Sequence, residues 1–391
     1  MIKKISRISL ITVIIFLVAF PKGGFKVSNI PITWGYLLLI LSIPFALSGS
    51  ISRLGKVYIT RERRWVLMLC LPYIIYSMFI LVLGSYESLG FLFSYILSML
   101  LMPILFLFIY GKTIDAPRFD QVFSKTLINC LRFVTVFGLI LFMQKILTGK
   151  SLEIPYLTVN IDDLGGLDEK YNLRGDIMKY TSTYNNGNIL GICLLIFMPI
   201  YFSVEKKYVF KIIFLASLAL TLSRTVWFGM LLFGLLSSLK NIKTKKGIFI
   251  LIFSGVSVVI FVPLLLKLIN VDTSFLFDAN LGGRLDQLSV LSNLTLFGDG
   301  EFNGIAEIIY TSILQEFGII GLILFIPYLL SPLIIYYFSN RAKTDRNYHW
   351  GLLIYPVICL SDGAILLIPT MAFYWFLASY ALIPRREIDN V

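Results

Sequence analysis

The sequence predicts an all-α, polytopic integral membrane protein, and three observations carry that expectation. First, 58% of the 391 residues are hydrophobic and only 14% are charged, against about 45–50% and about 25% in an average soluble domain. A soluble chain of this length would need a charged surface to cover its cores, and too few charges are present. Second, the apolar residues come in long runs. A crossing takes about 20 residues, so about twelve spans would use about 240 positions, close to the apolar share. Third, the net charge of +12 is gathered in short Lys/Arg runs between apolar stretches, as cytoplasmic loops require. That placement argues against nucleic-acid binding, for which a clustered basic face is the signature. Disorder is excluded by the apolar content. Cys70, Cys130, Cys193 and Cys359 all fall inside apolar runs and read as small buried hydrophobes, with neither disulfide nor metal spacing.

The spans follow in order. Lys3, Lys4 and Arg7 precede an apolar run from Ile8 to Phe20. No small-residue cleavage site follows it, so it reads as an uncleaved first span with its N-terminus inside. A second span, about Ile30 to Leu47, returns to Arg53, Lys56, Arg61, Arg63 and Arg64. The third runs from Trp65 to Gly84, turns near Glu87, and the fourth, Leu89 to Tyr110, comes back to Lys112, Arg118 and Lys125. The fifth, about Thr126 to Leu147, leads to a first long outer loop over 148–185. That loop carries Glu153, Asp162, Asp163, Asp168, Glu169 and Asp176, in keeping with an outer position. The sixth span, Asn186 to Ser203, ends at Lys206-Lys207.

Between Lys206-Lys207 and the cluster Lys240, Lys243, Lys245 and Lys246 the chain must cross an even number of times. Tyr208 to Leu239 spans 32 residues, or roughly 48 Å of helix, which is too long for one crossing and short for two. Two helices of about 15 residues, each about 22 Å long, would meet at Ser223-Arg224-Thr225 below the outer headgroups. Arg224 would then be an intramembrane charge, costly unless it faces protein, water or an anion. A ninth span, Gly247 to Ile269, opens a second long outer loop over 270–306. The tenth, about Glu307 to Phe338, ends at Arg341, Lys343 and Arg346. Tyr348 to Ile383 holds two short spans turning near Asp362, closed by Arg385-Arg386. The whole of 1–391 is expected to form one transmembrane domain of about 12 helices with both termini cytoplasmic, and no internal repeat is visible.

Three arginines fall on the outer side, where the charge rule does not explain them: Arg174, Arg224 and Arg284. A guanidinium is permanently charged and can grip phosphate oxygens with two parallel hydrogen bonds. Arg284 opens a segment with Leu285, Leu288 and Leu291 at near-helical spacing. A helix there would aim its free N–H groups and Arg284 at one anion. The plainer reading pairs Arg174 with Asp176 and Arg284 with Asp286. Glu307 stands where the second loop re-enters the membrane, a position suited to a general base, although position alone favours an ordinary interfacial acid. Glu316, nine residues on, would lie on the opposite face of the same helix as a buried packing group. His349, the only histidine, is expected on the cytoplasmic side. No zinc spacing, Walker motif or Rossmann glycine pattern is present.

Taken together, several of these stretches resemble one family. Leu222-Ser223-Arg224-Thr225-Val226-Trp227 is similar to the Ser-Arg motif of the O-antigen polymerase and ligase superfamily. So is the run from Gly283-Arg284 through Gly298-Asp299-Gly300 to Glu307, Tyr310 and Leu314-Gln315-Glu316-Phe317-Gly318-Ile319-Ile320-Gly321-Leu322. Arg174 followed by Thr183-Tyr184-Asn185-Asn186-Gly187-Asn188 resembles the family's first-loop arginine and Asn-rich span entry. The resemblance covers about 174–325 by motif. It implies a metal-independent, cofactor-free and inverting integral-membrane glycosyltransferase in the bacterial inner membrane, facing the periplasm. Its substrates would be undecaprenyl-pyrophosphate-linked donor and acceptor glycans, its product O-antigen or capsular polysaccharide, and a chain-length regulator a further partner. By the same resemblance Arg224 and Arg284 would hold the donor pyrophosphate with Arg174 assisting, Asn185 and Tyr310 would contact substrate, and Glu307 would be the base. Ligases of the superfamily place a histidine there, so Glu307 favours the polymerase over the ligase. A lipid-linked oligosaccharide flippase or other transporter is the alternative from another class, although transporters often show repeat symmetry.

Overall fold

The computed structural model describes residues 2–27, 30–50, 59–86, 88–116, 119–167, 172–174, 177–239, 284–302, 304–339, 348–367 and 369–383. The expected ninth span (247–269), the start of the second loop and the basic clusters at 240–246, 341–346 and 385–386 lie outside the described residues.

Helices dominate. In chain order they are α1 (Ile2–Ala19), α2 (Trp34–Ser50), α3 (Arg61–Leu83), α4 (Leu89–Ile109), α5 (Phe119–Thr148), α6 (Gly187–Val204), α7 (Tyr208–Leu220), α8 (Arg224–Leu239), α9 (Ile309–Phe338), α10 (His349–Ile358) and α11 (Thr370–Ala381). Five of them, α3, α4, α5, α6 and α9, are long and apolar enough to cross a membrane. The pattern of burial distinguishes inside from outside. α11 is buried along its whole length, and α6 from Gly187 to Tyr201 with the exception of Asn188; helices apolar on all sides belong at the centre of a bundle. By contrast α3 exposes Ile75, Phe79, Val82 and Leu83, and α5 exposes Ile140, Met143, Ile146 and Leu147. Exposed apolar faces of that extent suit lipid and not water. These features mark a helical membrane protein.

The two short helices expected between 208 and 239 are α7 and α8, joined through Thr221–Ser223, and the hairpin expected around Asp362 is α10 and α11. Local sequence did not announce the small strands. β1 (Gly24–Val27) pairs antiparallel with β2 (Ile30–Thr33). β3 (Ser85–Tyr86) lies parallel to β6 (Glu301–Phe302), and β4 (Leu173–Arg174) antiparallel to β5 (Ile177–Met178).

These connections converge at one end of the bundle. Lys26 of the first hairpin binds Asp163 at 2.7 Å. Ser85 N donates to Gly300 O (2.8 Å), Tyr180 N to Leu220 O (3.0 Å) and Gly363 N to Glu307 O (3.2 Å). At the other end Arg63 binds Asp115 (2.6 Å) and Arg132 binds Glu205 (2.6 Å). The three hydrogen bonds that Glu205 accepts, two of them from the Arg132 guanidinium, hold its carboxyl low, at about 2.

One break in the helices shapes the first end. α9 is interrupted at Gly318, whose φ is +70°, a region glycine enters without steric cost. The N–H groups released there, of Ile319 and Ile320, donate to Thr295 O (3.0 Å) and Leu296 O (3.2 Å), while Gln315 O accepts from Asp299 N (2.9 Å). Tyr76 Oη donates to Phe317 O at 2.8 Å. The 295–299 segment thus lies against the break and takes over its lost ladder. A Cβ at Gly318 would overlap Leu296 O, and one at Gly298 would overlap Glu316 O. The two glycine motifs therefore form a single joint. The expectation that Glu307 and Glu316 share one helix is corrected here: α9 starts at Ile309, so Glu307 lies ahead of it, and spacing along a helix says nothing about their relative faces.

Candidate functional site

Four chain segments bring chemistry together at this end. The first is the turn into α6. Ser182–Tyr184 form a single 3₁₀ turn, Asn185 takes a left-handed conformation (φ +57°), and Asn186 caps α6 by accepting from the N–H groups of Asn188 (2.9 Å) and Ile189 (3.2 Å). Asparagine suits both tasks, since its short amide tolerates the left-handed region and satisfies free N-terminal donors. This turn points Asn188 Nδ2 at Asp362 Oδ2, 2.9 Å away. Buried Lys179 lies with Nζ 3.5 Å from Asn188 Oδ1.

The second segment is the α7–α8 turn. Leu222 sits there at φ +52°, a strained setting for a branched side chain. Trp227 Nε1 donates across the turn to Ala219 O (3.0 Å). Half-buried Arg224 is the first residue of α8, and its neighbour Thr225 shares a 2.8 Å hydroxyl–hydroxyl hydrogen bond with Ser361. Arg224 is thereby held beside the link that carries Asp362.

The third segment starts at Arg284. Its helix is a single turn, Arg284–Gln287, followed by a 3₁₀ stretch Leu288–Ser292. The expected anion site on the amides of a full helix is therefore corrected, because one turn provides no dipole to speak of. What remains is the side chain. Arg284 is 7% exposed, and its Nη2 lies 2.8 Å from Glu307 Oε2 and 3.7 Å from Asp362 Oδ2. It thus pairs with two acids distant in sequence, Glu307 and Asp362.

The fourth segment is the α10–α11 link. Asp362 is 5% exposed. Burial, reinforced by the Glu307 carboxylate, pushes its carboxyl up to about 6 against the opposing pull of Arg284, Asn188 and Lys179. Glu307 itself is exposed, with 45% of its side chain accessible. Its backbone is fixed by Gly363 N, and the following residues by Ile309 N to Cys359 O (3.1 Å) and Ile308 N to Gln287 Oε1 (3.0 Å).

The result is a chain of polar groups running from Lys179 through Asn188, Asp362 and Arg284 to Glu307, with Arg224 alongside. Lys179, Asp362 and Arg284 are buried, Asn188 is half-buried, and the Glu307 end is open. Such an arrangement can bind an anion by trading carboxylate partners of Arg284 for ligand oxygens, and it offers an accessible carboxylate as a proton acceptor. Among the described residues no group of three His, Cys, Asp or Glu could hold a metal ion.

The remaining expected residues are distributed differently. Asn185 shapes the α6 entry, and its carbonyl accepts from Asn172 Nδ2 at 2.9 Å. Tyr310 donates to Pro356 O (2.9 Å) and packs edge-on against Phe325, so its hydroxyl is engaged in helix packing. The backbone of Arg174 lies in β4, and its side chain is outside the described residues. His349 stacks on Tyr336 at the start of α10, away from the cluster. Sequence reasoning missed Lys179 and the role of Asp362. The signal for Asp362 was available: an acid in the middle of an apolar hairpin needs a cation as much as Arg224 needs an anion. No family model, curated protein or solved structure matches this chain.

Proposed function

We propose that the protein is a membrane glycosyltransferase that joins polyprenyl-pyrophosphate-linked oligosaccharide repeat units into a surface polysaccharide. On this reading about twelve spans cross the bacterial inner membrane, the stretch 247–269 among them. Both termini are then cytoplasmic, and the end carrying Arg284 faces outward. The observation that carries the proposal is the buried Arg284 guanidinium set between an exposed and a buried carboxylate, with the Arg224 turn tied to the same α10–α11 link through Thr225 and Ser361, in the stretches whose motifs resemble the O-antigen polymerase superfamily.

The chemistry follows from the groups. The acceptor hydroxyl attacks the anomeric carbon of the donor while the bond from that carbon to the pyrophosphate oxygen breaks. Glu307 takes the hydroxyl proton. Negative charge gathers on the departing pyrophosphate, so Arg284 and Arg224 stabilise the transition state more than the bound donor. The cost of burying Arg284 is met in advance by Asp362 and Glu307, and a cation already in place needs no reorganisation when the bond breaks.

The test is synthesis of polymer by the purified protein in lipid nanodiscs supplied with lipid-linked repeat units. The expected product is a ladder of chain lengths, lost in Arg284→Ala and Arg224→Ala. A wild-type protein that moves the lipid-linked unit across the bilayer without lengthening it would make this a flippase. Transfer onto a lipid-A-like acceptor, with no ladder, would make it a ligase.

A further inference from the structure

The segment that Arg284 opens carries a period of three. After its single α turn the backbone is 3₁₀ from Leu288 to Ser292, where residues three apart eclipse one another. Three rows result. Arg284, Gln287 and Val290 turn inward: Arg284 is buried, Gln287 and Val290 are half-buried, and Gln287 Oε1 accepts from Ile308 N at 3.0 Å. A polar row, Asp286, Ser289 and Ser292, engages its own backbone, since Ser289 Oγ donates to Asp286 O (2.6 Å) and Ser292 Oγ to Ser289 O (2.7 Å). The last row is Leu285, Leu288, Leu291 and Leu294. These four, with Leu296 and Phe297, are each between 39% and 60% exposed. An apolar patch of that density marks an interaction surface.

The setting of the patch points to its partner. Leu296 O accepts from Ile320 N of α9, one turn from exposed Ile323, and Tyr76 of α3, which donates to Phe317 O, is one turn from exposed Phe79. Leu296 and Phe297 thus border the apolar outer faces of α3 and α9. Depth agrees. Gly300 O meets Ser85 N just past the end of α3, whereas Tyr76 stands nine residues earlier, or about 13 Å of helix. The chain from Leu296 to Gly300 therefore climbs the side of the bundle from below the end of α3. We infer that the Leu285–Leu294 row, with Leu296 and Phe297, is inserted into the bilayer at the boundary of headgroups and acyl chains, as an amphipathic lip on the Arg284 end of the bundle. Its partner is hydrocarbon and not an anionic headgroup. The charges between 285 and 302 are Asp286, Asp299 and Glu301, all acidic, whereas elements held by anionic lipid carry Lys and Arg on their polar face. Thr295 O and Leu296 O are already taken by α9, so side chains and not bare carbonyls meet the lipid. The insertion does not depend on the reaction proposed above. It adds that Arg284, at the head of the lip, stands at the level where the phosphate of a lipid-linked ligand lies.

The test is site-directed spin labelling of the full-length protein in zwitterionic-lipid nanodiscs. The four native cysteines are buried, so a nitroxide goes to a cysteine introduced at one position at a time. Oxygen concentrates among acyl chains, and a nickel chelate stays in water. Labels at Leu288→Cys, Leu291→Cys, Leu294→Cys and Phe297→Cys are expected to relax more with oxygen than with the chelate. Labels at Ser289→Cys and Ser292→Cys should do the reverse, so that the ratio inverts from row to row. A second measurement needs no variant: a phospholipid with a photoreactive group on its acyl chain should label residues 285–297 of the unmodified protein. Greater chelate than oxygen relaxation at the leucine sites would place the lip in water. Low values for both reagents would show that protein covers it. Either result, or absence of the photolabel from 285–297, overturns the inference and leaves the proposed function standing.

Discussion

Arg63 and Arg284 are both buried arginines bound by carboxylates, and they stand near opposite ends of α11. Arg63, at the start of α3, is fully enclosed. Its two terminal nitrogens bind the two oxygens of Asp115 (2.6 and 2.8 Å), and they also reach Gly111 O (3.0 Å) and Ser379 O (2.8 Å). Arg284 has a close partner in Glu307, which is itself exposed, and a looser one in Asp362 at 3.7 Å. The first arrangement ties the start of α3 to the end of α11 and leaves no room for another anion. The second leaves the guanidinium able to exchange partners. A permanent charge kept from water can therefore be a rivet or a receptor, and the geometry of its acids decides which.

Substitutions at the two arginines should separate along that line. Arg284→Ala is expected to lower polymer synthesis by about a thousandfold, the cost of losing a preorganised charge donor, while membrane-inserted protein remains at its normal level. Arg63→Ala should do the reverse, costing about 3–5 kcal/mol of stability because Asp115 is left uncompensated, with normal turnover in whatever protein survives. Equal losses of protein in both variants, read from thermal melts and membrane blots, would break the comparison.

Glu307→Gln sharpens it. With its carboxylate gone, synthesis should fall by about a hundredfold or more. The donor should still bind, because Arg284 keeps its charge and loses a competitor. Donor binding that falls together with turnover would remove Glu307 from the role of base.

A smaller effect is expected from acidity. The Asp362 carboxyl stands raised to about 6, so the folded protein holds this proton more tightly than the unfolded chain does. The group therefore favours folding in acid and progressively loses that contribution as pH rises through about 6. Protonation also removes a competitor for Arg284. Pyrophosphate affinity should weaken as pH rises through this range, and Asp362→Asn should flatten the profile. An unchanged profile in that variant would dissociate Asp362 from the receptor.

The smallest effect concerns the joint that supports Arg284. Gly318→Ala should cost about 1–3 kcal/mol, because alanine must adopt φ +70° against Leu296 O. Activity should decline with it as the 295–299 segment is displaced. A variant of wild-type stability would show that the break in α9 does not depend on glycine.

The parts legible in the sequence were those governed by length and charge. A mostly apolar stretch of 32 residues between two basic clusters required the α7–α8 hairpin, and the same arithmetic gave α10 and α11. Arg224 and Arg284 stood out because the charge rule left them unexplained. What stayed hidden depended on contacts between distant residues. Nothing near Glu307 says that α9 starts two residues later, or that residue 318 breaks that helix in order to admit 295–299. The leucine spacing after Arg284 promised a helix, yet those leucines are exposed and the helix gives way to 3₁₀ after one turn, since an apolar stripe that stays exposed adds little to hold a helix. Lys179 looked like one more loop lysine until the fold buried it behind Asn188.

The hydrogen bond from Asn188 to Asp362 joins residues 174 positions apart, and this has a consequence for synthesis. The joint between 295–299 and α9 can close as soon as both have emerged, since they are neighbours in the chain. The receptor cannot. Its inner acid arrives on the link between α10 and α11, after the segments that carry Asn188, Arg224, Arg284 and Glu307. On the proposed function, a truncation that removes only the α10–α11 hairpin is therefore expected to leave an inserted protein that neither binds nor extends the lipid-linked donor.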